Sequence, residues 1–260
     1  MPERLYFTDE GQGFPVLLIH GFCETHAIWN EFKDDLTESF RVITIDLPGF
    51  GKSPLPDKPF SIQYIARQVL QLIEKLSLDL SVVIGHSLGG YVTLEMISAA
   101  PKRFAGFGLF HSTAFADDDE KKTSRNKTIE FVKQHGTKVF AEAFIPELFY
   151  KQNREQLNDT IQQVVKLASS TDVETIISYT KAMRDRQDRT DVLEKFEEPI
   201  LFIAGVKDTV MPVEKVDEQI LLPKRAIVNI IQNVGHMGMF EDREKTQAIV
   251  KDFIKLCAPN

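Results

Sequence analysis

This chain of 260 residues has few cysteines, no excess of basic charge and no long apolar run. The two cysteines, Cys23 and Cys257, lie far apart without a CxxC or Cys/His spacing, so the sequence predicts free thiols rather than a disulfide framework or a zinc site. Acidic residues outnumber basic ones by 38 to 31, and the net charge is −7. This balance argues against nucleic acid as a partner, because phosphate backbones are bound by basic patches.

Signals for secretion, membranes and cofactors are missing as well. The first residues, MPERLYFTDEGQGF, are acidic where a signal peptide is basic and then apolar, and no later run approaches the length of a membrane span. We therefore expect a cytoplasmic protein with no membrane partner. The sequence has no P-loop, no GxGxxG motif opening a helix after the first strand and no HExxH motif, which predicts neither a nucleotide nor a metal cofactor.

Hydrophobic residues make up 43% of the chain, enough for one sizeable core. Short β-branched runs alternate with stretches of helical spacing, which is typical of a parallel sheet covered by helices. Between 112 and 196 no strand-like run occurs, and charged, helix-favouring segments fill the interval. We predict an α/β core of residues 1–111 and 197–260 with a helical cap of residues 112–196. The predicted strands are 15–20, 41–46, 80–85, 106–111, 199–205 and 225–231, and the predicted core helices are 27–40, 62–76 and 242–256.

The segment VVIGHSLGGYV at 82–92 places a serine between glycines where a buried strand gives way to a helix. Gly85, Ser87 and Gly89 fit the pattern G-x-S-x-G, in which a tight turn exposes a nucleophilic hydroxyl at the edge of a sheet. Glycines suit the flanking positions because side chains there would collide. A structural turn serine is the alternative interpretation of these five residues alone, so the rest of the chain must supply a base and an acid.

A histidine and an aspartate follow the last two predicted strands. His236 lies in NVGHMGMFED, a glycine-containing loop that can return to the carboxyl edge of the sheet, and Asp208 lies in AGVKDTVMP. Together with Ser87 they form a candidate catalytic triad. Packing or surface roles are assigned to the other histidines, which are His20, His26, His86, His111 and His135. An acid after the preceding strand is the alternative to Asp208, and the candidates in HSTAFADDD are Asp117, Asp118 and Asp119, whose other interpretation is a helix start.

Four motifs then resemble one family: HGF at 20–22, DLPGFGKS at 46–53, GHSLGG at 85–90 and GHMGMFE at 235–241. With them the chain resembles an α/β-hydrolase of the small serine esterase type. The resemblance implies a mostly parallel central sheet with helices on both faces and an inserted helical cap. It also implies an oxyanion hole formed by the main-chain N–H groups of Phe22 and Leu88.

A serine at the nucleophile position favours acyl transfer without a cofactor, whereas dehalogenases and epoxide hydrolases of this fold use a carboxylate there. We expect a small-molecule carboxylic ester or thioester as substrate, cleaved through an acyl-enzyme. The same residues would serve perhydrolysis, C–C bond hydrolysis, or amide or lactone hydrolysis, and a ligand receptor with slow turnover is the alternative from another class. We expect a monomer or a homodimer.

The cap segments carry many large apolar side chains, more than a small helical insert can bury within itself. Some of them are ordinary core, and others are expected to roof the catalytic edge. An apolar roof predicts a preference for short-to-medium acyl chains. The predicted pocket residues are Phe115, Phe144, Met183, Met211 and Met237. The further large side chains of the insert are Phe131, Phe140, Phe149 and Tyr150.

Overall fold

A seven-stranded sheet forms the centre of the protein, in a computed structural model that describes residues 5–57 and 59–259. The strand order is β1-β3-β2-β4-β5-β6-β7. β1 runs antiparallel to β3, and every other neighbouring pair is parallel. The strands are β1 Phe7–Glu10, β2 Pro15–Ile19, β3 Arg41–Ile45, β4 Ser81–His86, β5 Phe104–Phe110, β6 Ile200–Gly205 and β7 Ala226–Ile231.

Burial explains the composition of these strands. Every residue of β4, β5 and β6 is buried, because helices cover both faces of a parallel sheet and leave no side of the strand to water. The edge strand β7 alternates between exposed and half-buried positions instead. Since parallel strands end at the same edge, the loops after β2, β4, β5, β6 and β7 meet at the carboxyl edge of the sheet.

Helices pack on the sheet in pairs. α2 packs against α3, and α1 packs against α10. Ser61 caps α2 by accepting a hydrogen bond from the N–H of Tyr64, and the buried residues of this helix recur at intervals of three and four. The core helices are α1 Asn30–Thr37, α2 Ile62–Lys75, α3 Leu88–Ala99, α8 Val213–Gln219, α9 Gly238–Glu241 and α10 Arg243–Cys257.

The chain between β5 and β6 is entirely helical apart from its connections. The insert contains α4 Asp119–Phe144, α5 Asn158–Ser169, α6 Val173–Arg184 and α7 Thr190–Lys195. α4 packs against both α5 and α6, whereas α7 packs against α3 of the core. The backbone of α4 leaves helical geometry at Gly136, which has φ 79° and ψ 169°.

The predicted mostly parallel sheet is confirmed, and each of the six predicted strands coincides with an observed one. The sequence analysis missed β1, a four-residue strand whose residues FTDE are half-buried or exposed and therefore lack an apolar pattern. The predicted helix at 27–40 consists of a 3₁₀ turn, His26–Trp29, followed by α1. Among the described residues, no helix combines the length and the apolar composition needed to cross a membrane.

Candidate active site

Ser87 lies in the turn between β4 and α3, with a backbone strained into φ 50° and ψ −113°. Its N–H donates to the carbonyl of Phe110 at 2.9 Å, which ties the turn to the neighbouring strand. A Cβ on Gly85 would collide with the main-chain oxygen of Gly89, so glycine is required for the helix to start this close to the strand. The hydroxyl of Ser87 makes no capping bond to α3 and is left for another partner.

Asp208 and His236 come from the loops after β6 and β7 and are joined by a hydrogen bond of 2.7 Å between Nδ1 of the imidazole and Oδ2 of the carboxylate. The second oxygen, Oδ1, accepts the main-chain N–H groups of Val210 and Met211, each at 2.8 Å. Burial by itself would raise the pKa of Asp208, but the adjacent histidines and their hydrogen bonds outweigh it and hold that pKa well below its usual range.

The ionised carboxylate fixes the tautomer of the base. A carboxylate only accepts hydrogen bonds, so Nδ1 of His236 carries the proton and Nε2 remains free to accept one. The main-chain N–H of His236 donates to the carbonyl of Leu148 at 2.7 Å, which anchors the histidine loop to the insert. His236 and Ser87 line one cavity of about 280 Å³. The structure therefore brings the predicted serine, histidine and aspartate to a single site.

The two predicted oxyanion donors come from two different loops at the carboxyl edge of the sheet. Leu88 is the first residue of α3, and Phe22 follows β2 and lines the cavity. Within residues 5–57 and 59–259, neither main-chain N–H has an acceptor. Two unpaired donors beside a nucleophile can stabilise the negative charge that develops on an attacked carbonyl.

His86 has a role in the site that the sequence analysis did not assign. Its ring donates from Nδ1 to Glu24 Oε2 at 3.0 Å and from Nε2 to the carbonyl of His236 at 2.9 Å. Burial lowers the pKa of His86, but the carboxylate of Glu24 outweighs it, and the net effect raises that pKa. Glu24 also accepts the N–H of Gly21, next to Phe22. A buried imidazolium–carboxylate pair thus connects the oxyanion loop to the histidine loop.

His111 is the second residue missed from sequence. It follows β5, and its Nδ1 donates to Asp208 Oδ2 at 3.1 Å, so two imidazoles share one carboxylate oxygen. Burial lowers the pKa of His111 to about 4, which keeps the ring neutral. Among the described residues its buried Nε2 has no hydrogen-bond partner, and a Cβ added to Gly238 would lie 2.6 Å from it. Only the pairing of β5 with β6 brings this residue to Asp208, and no local motif indicates it.

The ligand atoms of His111, Asp208 and His236 all lie within 4.8 Å of one another, a spacing that a metal ion can use. Both imidazoles, however, donate their Nδ1 protons to the same carboxylate oxygen. A cation bound through Nδ1 of both rings would have to displace both protons and break both hydrogen bonds. The arrangement fits the orientation of a catalytic base better than metal coordination.

The alternative acids occupy the start of the insert. Asp117 is buried and accepts hydrogen bonds from Arg125 at 3.0 Å and Arg186 at 2.6 Å. Asp118 caps α4, and Asp119 lies in its first turn, as expected for a helix start. The aspartate that bonds to His236 is Asp208.

The predicted pocket residues are divided between two cavities and the core. Phe144 and Met183 line the Ser87 cavity, and Phe115 and Met211 line an adjoining cavity of about 570 Å³. Met237 is completely buried and lines neither. The two cavities share part of their lining, namely Tyr91, Lys121, Ser124 and Val210.

Comparison with known proteins assigns the chain to a family. Residues 15–243 match the model of the α/β hydrolase fold family. The chain is 25% identical to the pimeloyl-[acyl-carrier protein] methyl ester esterase of Methylococcus capsulatus, over 96% of this chain and 98% of that protein.

Two solved esterases have the same fold over nearly their whole length. The thermophilic esterase of Thermogutta terrifontis, solved with malate bound, superposes with a TM-score of 0.93 at 28% identity, covering 98% of this chain and 94% of that one. The esterase of Exiguobacterium antarcticum superposes with a TM-score of 0.89 at 25% identity, covering 97% and 96%. The chain therefore belongs to the α/β-hydrolase fold family and is a hydrolase whose relatives include esterases.

Proposed function

We propose that this hydrolase cleaves carboxylic esters or thioesters of short-to-medium acyl groups through an acyl-enzyme on Ser87. The observation that carries the proposal is the shared cavity, in which the strained serine and the aspartate-bound histidine face the same space. The apolar side chains of Phe22, Phe144 and Met183 on its wall suit the methylene part of an acyl chain.

In the proposed mechanism, Oγ of Ser87 attacks the carbonyl while Nε2 of His236 takes its proton. The carbonyl oxygen becomes negative and is held by the N–H groups of Phe22 and Leu88, each worth about 2.7–4 kcal/mol of transition-state stabilisation. The imidazolium then returns the proton to the leaving alcohol or thiol. Water then attacks the acyl carbon while His236 takes its proton, and the bond between the acyl carbon and Oγ breaks as His236 returns the proton to Ser87, which releases the acid. Asp208 holds the ring in the required tautomer throughout.

A panel of p-nitrophenyl esters from acetate to decanoate, with a methyl ester and a thioester added, tests this function. We expect turnover by the wild-type protein and a loss of more than about 10³-fold in kcat for Ser87→Ala, with the circular dichroism spectrum unchanged. A serine-directed fluorophosphonate should label one site per chain, on the peptide that contains Ser87. A single slow turnover on every ester, with the label still on Ser87, would favour the receptor alternative.

A further inference from the structure

The first three turns of α4 present a polar face to the catalytic cavity. Lys121, Ser124, Arg125 and Thr128 all line it, and their spacing of three and four residues places them on one side of the helix. Helices usually turn their apolar side inward, as the sequence analysis assumed for the roof of this site. Here the part of the roof that faces the nucleophile carries two cations and two hydroxyl groups, which we call the α4 polar stripe.

The two cations of the stripe retain bonding capacity. The ammonium of Lys121 donates to the carbonyl of Val210 at 3.0 Å, and no carboxylate lies within ion-pair distance of it in the described part of the chain. Arg125 bonds to Asp117 through Nε, which leaves the two terminal nitrogens of its guanidinium for another acceptor. An ammonium and a guanidinium at the wall of a cavity suit an anionic oxygen, since charge-assisted hydrogen bonds are the strongest available to them.

The acidic groups nearby do not cancel this positive charge. Asp117 supplies one negative charge to two guanidinium groups, those of Arg125 and Arg186. Among the described residues that line the cavity, the acidic one is Glu24. Its carboxylate is already paired with the imidazolium of His86. Over its own described lining the cavity therefore has two cations, Lys121 and Arg125, against the carboxylate of Glu24, whereas Asp118, Glu120 and Asp188 line the adjoining cavity.

We propose that the substrate is an ester that carries a carboxylate a few bonds from its reacting carbonyl, and that Lys121 and Arg125 bind this carboxylate. The inference rests on the proposed esterase function and narrows its substrate class to anionic esters such as half-esters of dicarboxylic acids. The apolar wall holds the methylenes between the two ends. The α4 polar stripe thus selects substrate while the sheet edge performs the chemistry.

Matched esters test this selection. The half-esters monomethyl succinate, adipate and suberate are compared with methyl butyrate, hexanoate and octanoate, which have the same chain lengths and end in a methyl group. We expect the best half-ester to exceed its neutral counterpart about tenfold in kcat/KM, and the advantage to fall with added salt. Butyrate esters of hydroxy acids, with the carboxylate on the alcohol side, form a second arm that shows which half of the ester meets the stripe.

The variants Lys121→Met and Lys122→Met form a matched pair, because Lys122 is the next residue along α4 and is exposed. We expect Lys121→Met to lower the ratio of kcat/KM between anionic and neutral esters about tenfold, and Lys122→Met to leave that ratio unchanged. Equal effects of the two substitutions would overturn the proposal.

Binding separates this inference from the esterase function itself. Calorimetry of monomethyl adipate and methyl hexanoate with Ser87→Ala measures recognition without hydrolysis, and tighter binding of the half-ester supports the proposal. Equal binding, or equal kcat/KM for the anionic and neutral esters in both arms, refutes anion selection and leaves the esterase function standing. If the wild type hydrolyses no ester and Ser87 takes no fluorophosphonate, the esterase function fails, whereas the calorimetric result still decides the anion site.

Discussion

The carboxyl edge of the sheet and the cap helix α4 face the same cavity but hold their polar groups differently. At the edge, Asp208 accepts four N–H groups, two from imidazoles and two from the main chain. On α4, Lys121 and Arg125 each use only part of their capacity and are partly exposed. Groups that stabilise a transition state need a fixed geometry, which satisfied hydrogen bonds provide. Groups that bind a substrate must instead keep hydrogen-bond donors free to receive it.

Backbone strain differs between the two regions as well. Ser87 is half-buried between fully buried neighbours, and β4, α3 and the Phe110 carbonyl impose its strained conformation. Gly136 has an equally unusual backbone, but a Cβ added there would meet no atom of the described residues within 4 Å. At the edge, packing imposes the conformation on a residue that has a Cβ, whereas Gly136 adopts its conformation without steric strain because glycine has no Cβ. Substitutions in the two regions should therefore reduce activity or stability for different physical reasons.

The largest expected effect comes from exchanging the two buried aspartates for asparagine. Asp208→Asn replaces an acceptor that orients His236 with an amide that favours the wrong tautomer, so kcat should fall by about 10⁴-fold. Asp117→Asn removes a charge held by Arg125 and Arg186, and the free energy of unfolding should fall by about 3 kcal/mol or more, because a buried guanidinium loses its counter-charge.

Ester hydrolysis at saturating substrate measures the loss of kcat, and urea unfolding measures the loss of stability. The comparison of regions predicts that Asp208→Asn changes kcat far more than Asp117→Asn does. If Asp117→Asn had the larger effect on kcat, the catalytic acid would belong to the insert rather than to the loop after β6.

The sequence predicted the sheet edge well because its information is local. A strand, a glycine-flanked serine and two loop residues can each be recognised within about ten residues, and parallel topology then places them at one edge. Ser87, Asp208 and His236 were predicted in this way, and the structure brings them together at the carboxyl edge. The roles of His86 and His111 were missed because they depend on contacts across strands and loops far apart in sequence: His86 reaches Glu24 and the carbonyl of His236.

The cap was predicted less well for a related reason. The lack of strand-like runs between 112 and 196 predicted a helical insert, and the large apolar side chains predicted an apolar roof, but neither pattern revealed which face of α4 meets the cavity. Phe140 packs on Phe22 and Phe144, at the far end of α4 from the polar stripe. The orientation of an inserted helix depends on its packing against α5, α6 and the core, which no local pattern specifies.

The second prediction concerns pH and the buried His111. Its pKa is about 4 in the fold against a reference of 6.5, so the unfolded chain binds more protons between these values. Its contribution to stability is fully present above pH 6.5 and is lost as the pH falls through 4, a loss of about 3 kcal/mol. The substitution His111→Asn removes the titrating imidazole. The side-chain amide keeps an N–H donor near the position of Nδ1, and asparagine tolerates the φ of 50° at this residue.

Urea unfolding at pH 4, 5, 6.5 and 7.5 measures this difference. The free energy of unfolding should fall more steeply toward pH 4 in the wild type than in His111→Asn. His135→Asn is the control, because His135 is exposed on α4 and water reaches its ring in the folded and unfolded states alike. Parallel curves for the wild type and His111→Asn would mean that His111 is not held neutral by its burial at the catalytic edge.

The smallest expected effect comes from the cap. In Gly136→Ala the new methyl group has free space, so the cost is limited to a backbone with φ 79° and ψ 169°, a region occupied almost only by glycine, and is about 1–3 kcal/mol. Gln134→Ala, on the same helix and exposed, should change stability by less than about 0.5 kcal/mol. Thermal unfolding of the two variants measures the difference. If Gly136→Ala is as stable as Gln134→Ala, α4 can straighten at this point without cost, and the cap is not held in its bent form by the rest of the fold.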